Sequence, residues 1–234
     1  MPLTPARRRG VERLDEPGVA PADRVRSLRD VARSNTLFGG RRAVLREVER
    51  ALRECGPQGS LLDVGTGLAD IPAGAARRAR RRGLALTTIG LDRAEELVRE
   101  ARRRVDAVVV GDALHLPFAD ASVDVVTCSQ LLHHFAEPEA RILIAELDRV
   151  AVRRVVIGDL RRSWLAAGLF WLAAWPLRFD PITRHDGVLS VLRGFTAGEL
   201  RSLVRDATGG AATVRRGAGW RLTAAWTPQR RAPA

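Results

Sequence analysis

The 234-residue chain contains no lysine, no tyrosine, one asparagine (Asn35) and one methionine. Without lysine there is no Schiff-base chemistry, and without tyrosine no phenolic acid or base. Two cysteines, Cys55 and Cys128, supply neither a disulfide framework nor zinc-ligand spacing. Four scattered histidines, with no carboxylates grouped after the fourth and fifth strands, give no ligand set, and no metal is expected. No apolar run follows Arg7-Arg8-Arg9, so neither a secretory nor a twin-arginine signal is expected, and the chain reads as cytoplasmic. The longest apolar stretch, Trp164 to Leu177, is too short for a bilayer span, which needs about 20 residues.

What is abundant is arginine. All 39 basic residues are arginine against 27 acidic ones, for a net charge of +12. A G+C-rich coding bias explains arginine in place of lysine together with the dearth of asparagine and tyrosine; a nucleic-acid surface is the competing reading. Apolar residues make up 46% and charged residues 28%, which describes a folded chain, and the length fits one domain with appendages.

The chain is organised around Ser60-Leu61-Leu62-Asp63-Val64-Gly65-Thr66-Gly67-Leu68-Ala69-Asp70. An apolar strand breaks at two glycines one residue apart and enters a helical Ala/Arg segment. Glycine permits positive φ there and leaves no side chain between backbone and ligand, while the helix start favours an anionic group. A dinucleotide fingerprint would need glycine at position 70, where Asp70 stands, so a nicotinamide oxidoreductase is disfavoured.

Around this turn, residues 1–21, rich in proline, arginine and glycine, read as a tail poorly ordered at its start. Helices are expected at 22–32 and 42–53, separated by a breaker at 34–40, forming a cap over a cleft or covering the sheet. Strand–helix alternation then runs through strands at 86–91, 107–110, 123–128 and 154–159, implying a parallel sheet with ligands at the strand carboxyl ends. Final strands near 212–215 and 220–225 follow a capping box at Thr196–Glu199. Residues 1–56 thus form tail and cap, 57–228 the binding domain with an insertion at about 161–195, and 229–234 a closing tail.

The strand ends carry the chemistry. Asp92 can accept both ribose hydroxyls, or merely cap the next helix. Asp112 can accept from an adenine amino group beside Leu116 and Phe118, unless these only anchor a loop. The run G-D-A-x-x-L-P-F-x-D-x-S-x-D-V-V at 111–126, followed by L-H-H-F at 132–135 and preceded by h-h-D-h-G-x-G, resembles the class I S-adenosylmethionine (SAM)-dependent methyltransferases. It is similar in particular to the subfamily of ubiquinone/menaquinone-biosynthesis methyltransferases, over about residues 58–160. The resemblance implies an α/β, Rossmann-like, seven-stranded, mostly parallel sheet whose last strand is antiparallel. It also implies SAM contact by Asp63, Gly65, Thr66 and Gly67, ribose contact by Asp92, and adenine contact by Asp112 and Ala113. Ser129, at the end of the fourth strand, is grouped with these contacts. Arg93 departs from the family's usual apolar residue and either stacks on the adenine or faces water.

Trp164–Leu177, apolar all round and flanked by Arg161, Arg162 and Arg178, has three readings: a substrate-pocket wall, a buried helix, or a monotopic membrane contact. The stretch H-D-G-V-L-S-V-L-R-G-F-T-A-G-E-L at 185–200 is similar to bacterial methyltransferases of polyketide-type phenolic (secondary) metabolites. A phenolic acceptor needs a base, and histidine has the matching pKa; the candidates are His133, His134 and His185. The expected reaction is therefore methyl transfer from SAM, leaving S-adenosylhomocysteine, to O or C of a small apolar acceptor. An RNA or DNA methyltransferase is the rival, opposed by Cys-Ser-Gln-Leu after strand four in place of an Asn/Asp-Pro-Pro-aromatic motif. A SAM-binding protein without turnover is the other. Cys128, on a strand without the Pro-Cys context of a cytosine-methylating nucleophile, reads as a buried thiol.

Overall fold

The computed structural model describes residues 4–16 and 18–229; most of the expected closing tail, 230–234, lies outside them. Helices α1 (Pro21–Leu37) and α2 (Gly40–Leu52) precede β1 (Gln58–Val64), α3 (Asp70–Arg80), β2 (Ala85–Asp92), α4 (Glu95–Ala101), β3 (Ala107–Val110) and β4 (Val123–Ser129). There follow α5 (Glu137–Val150), β5 (Ala151–Leu160), α6 (Trp164–Ala174), α7 (Pro181–Arg193), α8 (Ala197–Thr208), β6 (Thr213–Gly217) and β7 (Arg221–Trp226).

The strands form one seven-stranded sheet in the order β3-β2-β1-β4-β5-β7-β6. The pairs β1·β2, β1·β4, β2·β3 and β4·β5 are parallel, and β7 runs antiparallel to both neighbours. Strand order reverses between β1 and β4, which is where doubly wound sheets open a crevice. Val64 pairs Leu91 and Cys128, and Ser129 pairs Gly158, so Gly65, Asp92, Gln130 and Asp159 emerge on one edge.

Both sheet faces are covered. On one, Leu143, Ile144 and Leu147 of α5 and Leu200 and Val204 of α8 are fully buried against Leu62, Val126 and Ile157. On the other, Val44, Leu45 and Val48 of α2 lie against Leu61, Val125 and Val156. Each such side chain contributes about 1.5–3 kcal/mol by leaving water. Thus α2 is a layer of the sandwich, and the strand-edge residues are held by a core that leaves them little freedom.

Three local expectations change. The breaker at 34–40 is confined to its end: α1 continues to Leu37, with Ser34 and Asn35 buried and the Thr36 hydroxyl donating back to the Ala32 carbonyl. The turn falls at Gly39, whose φ of +81° suits glycine. Helix α7, unread in the sequence, starts where Asp180 accepts from the Ile182 N–H with Pro181 in the first turn. Residues 4–16 are no loose tail. Arg162 donates to the Pro5 carbonyl at 2.7 Å, Arg7 to the carbonyls of Arg193 and Phe135, and the Asp186 carboxylate accepts the N–H groups of Arg13 and Leu14.

Of the readings for 164–177, complete burial is excluded. Ala166, Ala167 and Ala174 of α6 are buried, whereas Trp171, Leu172 and Trp175 are more than half exposed.

Candidate active site

A cavity of about 1190 Å³ opens at the carboxyl edge of the sheet. It runs from the tips of β3 and β2 (Asp112, Ala113, Asp92) past Gly65, Gly67 and Gln130 to Leu160 at the end of β5. Its roof is α1 (Ser27, Leu28, Val31), α6 (Ala166, Leu169, Phe170), α7 (Thr183, Asp186, Val191) and the strap at Glu12–Asp15. That volume lies just above the roughly 300–1,000 Å³ of a single small-ligand pocket, which is compatible with two reactants.

The β1–α3 turn is built so that backbone meets cavity. Gly65 has φ +68°, and a Cβ there would stand 2.7 Å from Leu131 Cδ2; Gly67 has φ +51°. The N–H groups of Gly65 and Thr66 both donate to the Leu91 carbonyl, locking the turn to β2. Ala69, in place of a third glycine, adopts φ +56° as the residue before α3. Asp92 Oδ2 accepts from the Gly67 N–H at 2.9 Å and Oδ1 from the Ala94 N–H. It therefore does cap the local backbone, while each oxygen keeps a second lone pair for a ribose hydroxyl. Burial raises its pKa against those N–H bonds.

The remaining cofactor candidates divide. Gly65, Gly67, Asp92, Arg93, Asp112 and Ala113 line the cavity. Arg93 is largely exposed at the cavity rim, 3.8 Å from Asp15. Asp63, Thr66 and Ser129 are not among the lining residues. Asp63 is buried behind the turn, accepting from Thr127 Oγ1 at 2.6 Å and Thr66 Oγ1 at 3.0 Å. Burial pushes its carboxyl up to about 7 despite those bonds. These bonds tie it to Thr66 of the turn and Thr127 of β4. Leu116 is buried and Phe118 packs on the core, with Arg149 bonded to both carbonyls; they anchor the loop and do not line the cavity.

Two of the four histidines come together. His133 and His134, on a 3-10 turn after β4, stand ring to ring at 4.4 Å. His133 is buried, its Nδ1 2.6 Å from Asp159 Oδ1 and its own N–H donating to Oδ2. His134 is partly exposed to the cavity, with Nδ1 2.8 Å from Asp15 Oδ2. Burial opposes its protonation, but the Asp15 hydrogen bond and the charges of Glu12 and Asp15 outweigh it and hold the pKa above the usual imidazole value. Both Nε2 atoms lie 3.7 Å from the Glu12 carboxylate. Glu12, His133 and His134 thus bring ligating atoms within 4.8 Å, which the sequence spacing did not show. Glu12, however, already accepts from Ser190 and faces the Arg193 guanidinium at 3.6 Å. His185 stands apart: it pairs with Asp186, is half exposed and does not line the cavity. Cys128 is buried at the β4 tip, and burial drives its thiol pKa well up, as an inert thiol requires.

Sequence reading missed Glu12 and Asp15, which lie in a stretch without periodicity, and Asp159, although it ends a strand like Asp92. It also missed Gln130 and Arg221: Arg221 donates to Gln130 Oε1 at 2.8 Å, and burial pulls its pKa down to about 10.

Sheet order, antiparallel β7 and the glycine turn facing a strand-end aspartate define a Rossmann-like fold with an open crevice at its strand ends. Residues 62–155 match the family described as "Methyltransferase domain". The chain is 30% identical over 160 residues to a demethylmenaquinone methyltransferase of Thermotoga maritima, covering 65% of this chain and 68% of that one. It is 42% identical over 64 residues to a probable tRNA methyltransferase 9B of Mus musculus, covering 27% of this chain and 14% of that one. Among solved structures, magnesium protoporphyrin IX methyltransferase from Synechocystis PCC 6803 with bound SAM superposes with a TM-score of 0.56 at 15% identity, over 93% of this chain and 89% of that chain. The chain belongs to the class I SAM-dependent methyltransferases. It is an enzyme whose methyl donor is SAM, and the nicotinamide reading falls.

Proposed function

We propose that the chain methylates an O or C atom of a small, apolar, aromatic acceptor of phenolic, quinone or polyketide type, with His134 as the base. The observation that carries this is the composition of the cavity beyond Gly65. There Phe38, Leu160, Leu169, Phe170, Val191 and Trp220 supply apolar walls next to the His134–Asp15 pair. The relative from Thermotoga maritima, named for a quinone precursor, points the same way.

Bound SAM supplies a methyl group already activated by its sulfonium. Gly65 and Gly67 leave room for the donor, Asp92 offers acceptors to its ribose, and Asp112 and Ala113 border its base. The apolar walls then hold the acceptor in line, and orientation of this kind is worth about 7–11 kcal/mol. A phenol ionises near a pKa of about 10, so His134 takes its proton while Asp15 fixes the ring and stabilises the imidazolium. Acidic side chains outnumber arginines among the lining residues, which favours a cationic donor and disfavours a polyanion despite the chain's net charge of +12.

The test is turnover with SAM against a graded series of alkylated phenols and hydroquinones, with tRNA alongside. Rates are expected to rise with acceptor apolarity and to be insensitive to salt. Methylation of tRNA alone, falling steeply with salt, would replace this reading with the nucleic-acid one.

A further inference from the structure

Helix α6 carries two apolar faces. Ala166, Ala167, Phe170 and Ala174 point inward, and Gly187 of α7 makes room for Phe170, since a Cβ there would collide with its ring. The outward face is Trp164, Leu165, Trp171, Leu172 and Trp175, each between 43% and 59% exposed, at the spacing of one helical side. Nothing among the described residues covers it, and α6 contains no acidic or basic residue. Arginines bracket the ridge: Arg8 lies 5.3 Å from the ring centroid of Trp164 at one end, Arg184 4.2 Å from Trp175 at the other, and Arg178 is exposed just beyond.

We propose that this face docks α6 flat on a bilayer containing anionic lipid, so that the acceptor enters the cavity from the membrane. Charge complementarity selects this occupant. Tryptophan and leucine suit the level of headgroups and upper acyl chains, and arginines at both ends meet lipid phosphates. A second copy meeting this one through α6 would face arginine with arginine, and the ridge offers no carboxylate to pair them. At 11 residues α6 lies on a membrane rather than crossing it, and no helix of the described residues is long and apolar enough to cross one. Leu169 ties the surface to the site: it is 44% exposed and also lines the cavity, so the ridge and the cavity mouth share a border.

This deepens the apolar-acceptor reading and rests on it for the entry route, but docking is measured without acceptor. The experiment is cosedimentation of the full chain with phosphatidylcholine vesicles, with and without 30% (roughly, by lipid) phosphatidylglycerol. Tryptophan emission and sedimentation velocity are followed in parallel. Wild-type protein is expected to bind the anionic vesicles with a blue-shifted emission, and binding is expected to weaken as salt rises. The double variant W171E/L172E is expected to lose vesicle binding by about tenfold or more while binding S-adenosylhomocysteine as wild type does, which shows that it is folded. Absence of wild-type binding, equal binding by the variant, or a dimer that only the variant dissociates would overturn the proposal. Vesicle binding without methylation of any apolar acceptor would instead remove the acceptor reading and leave the docking surface standing.

Discussion

His134 reaches across 119 positions of chain to Asp15, Nδ1 to Oδ2 at 2.8 Å, and the contact forms part of the cavity wall. A base must be neutral to act, and Asp15 holds His134 protonated to a higher pH than usual. The acid limb of the pH–rate profile is therefore expected above the ordinary imidazole range. Asp15→Asn should move that limb to lower pH, and His134→Ala should cost about 10²–10⁴-fold in kcat on a phenolic acceptor. His185→Ala should leave both unchanged. Initial rates across pH check all three.

The donor site predicts a contrast between two aspartates. Asp92→Ala removes the cavity-lining acceptors and the partner of the Gly67 N–H, and about tenfold or greater loss of S-adenosylhomocysteine affinity is expected. Gly65→Ala should lose as much, because its Cβ meets Leu131 at a φ of +68°. Titration calorimetry reads both.

Asp63, behind the turn, is expected to show itself in stability. Its carboxyl titrates at about 7 in the folded chain and near the usual carboxylate value when unfolded. Between those values the folded state holds a proton that the unfolded state has lost, so stability falls as pH rises through the window. Asp63→Asn is neutral throughout and can still bond both threonine hydroxyls. Its urea midpoint should vary less between pH 5 and pH 8 (roughly the window's span) than the wild-type midpoint does.

Arg162 is buried and donates to the Pro5 and Gly194 carbonyls and to both oxygens of Glu199. Arg162→Met leaves two buried carbonyls without this donor and frees the strap that carries Glu12 and Asp15. A loss of about 2–4 kcal/mol in urea unfolding is expected. Proteolysis should then clip the chain ahead of α1.

Glu12, His133 and His134 bring ligating atoms together, but Arg193 already compensates Glu12 at 3.6 Å. Turnover is expected to survive dialysis against EDTA unchanged. Loss of activity restored by Zn²⁺ or Fe²⁺ would assign a metal to this cluster.

Residues 58–160 were legible because each step there is local. Alternating strands and helices, paired glycines and aspartates at strand ends announce themselves within a few positions, and Gly65, Gly67, Asp92, Asp112 and Ala113 all line the cavity. Leu116 and Phe118 were ambiguous, since an apolar loop residue looks alike whether it meets a ligand or the core. Helix α7 was overlooked although Asp180-Pro181 marks its start. Asp15 and Glu12 could not be placed, because a histidine's carboxylate partner leaves no local trace.

The sequence by itself determined the strand–helix alternation and the glycine turn, because hydrophobic period and turn chemistry act over a few residues; the kind of donor followed from the motifs' resemblance to a known family. Tertiary structure decided that His133 and His134 border the cavity while His185 does not, that Asp63 is buried behind the turn, and that Glu12 and Asp15 join the cavity wall. It also decided that half of α6 faces outward: a helix apolar on every side has no period, so only its packing reveals which face is left in water.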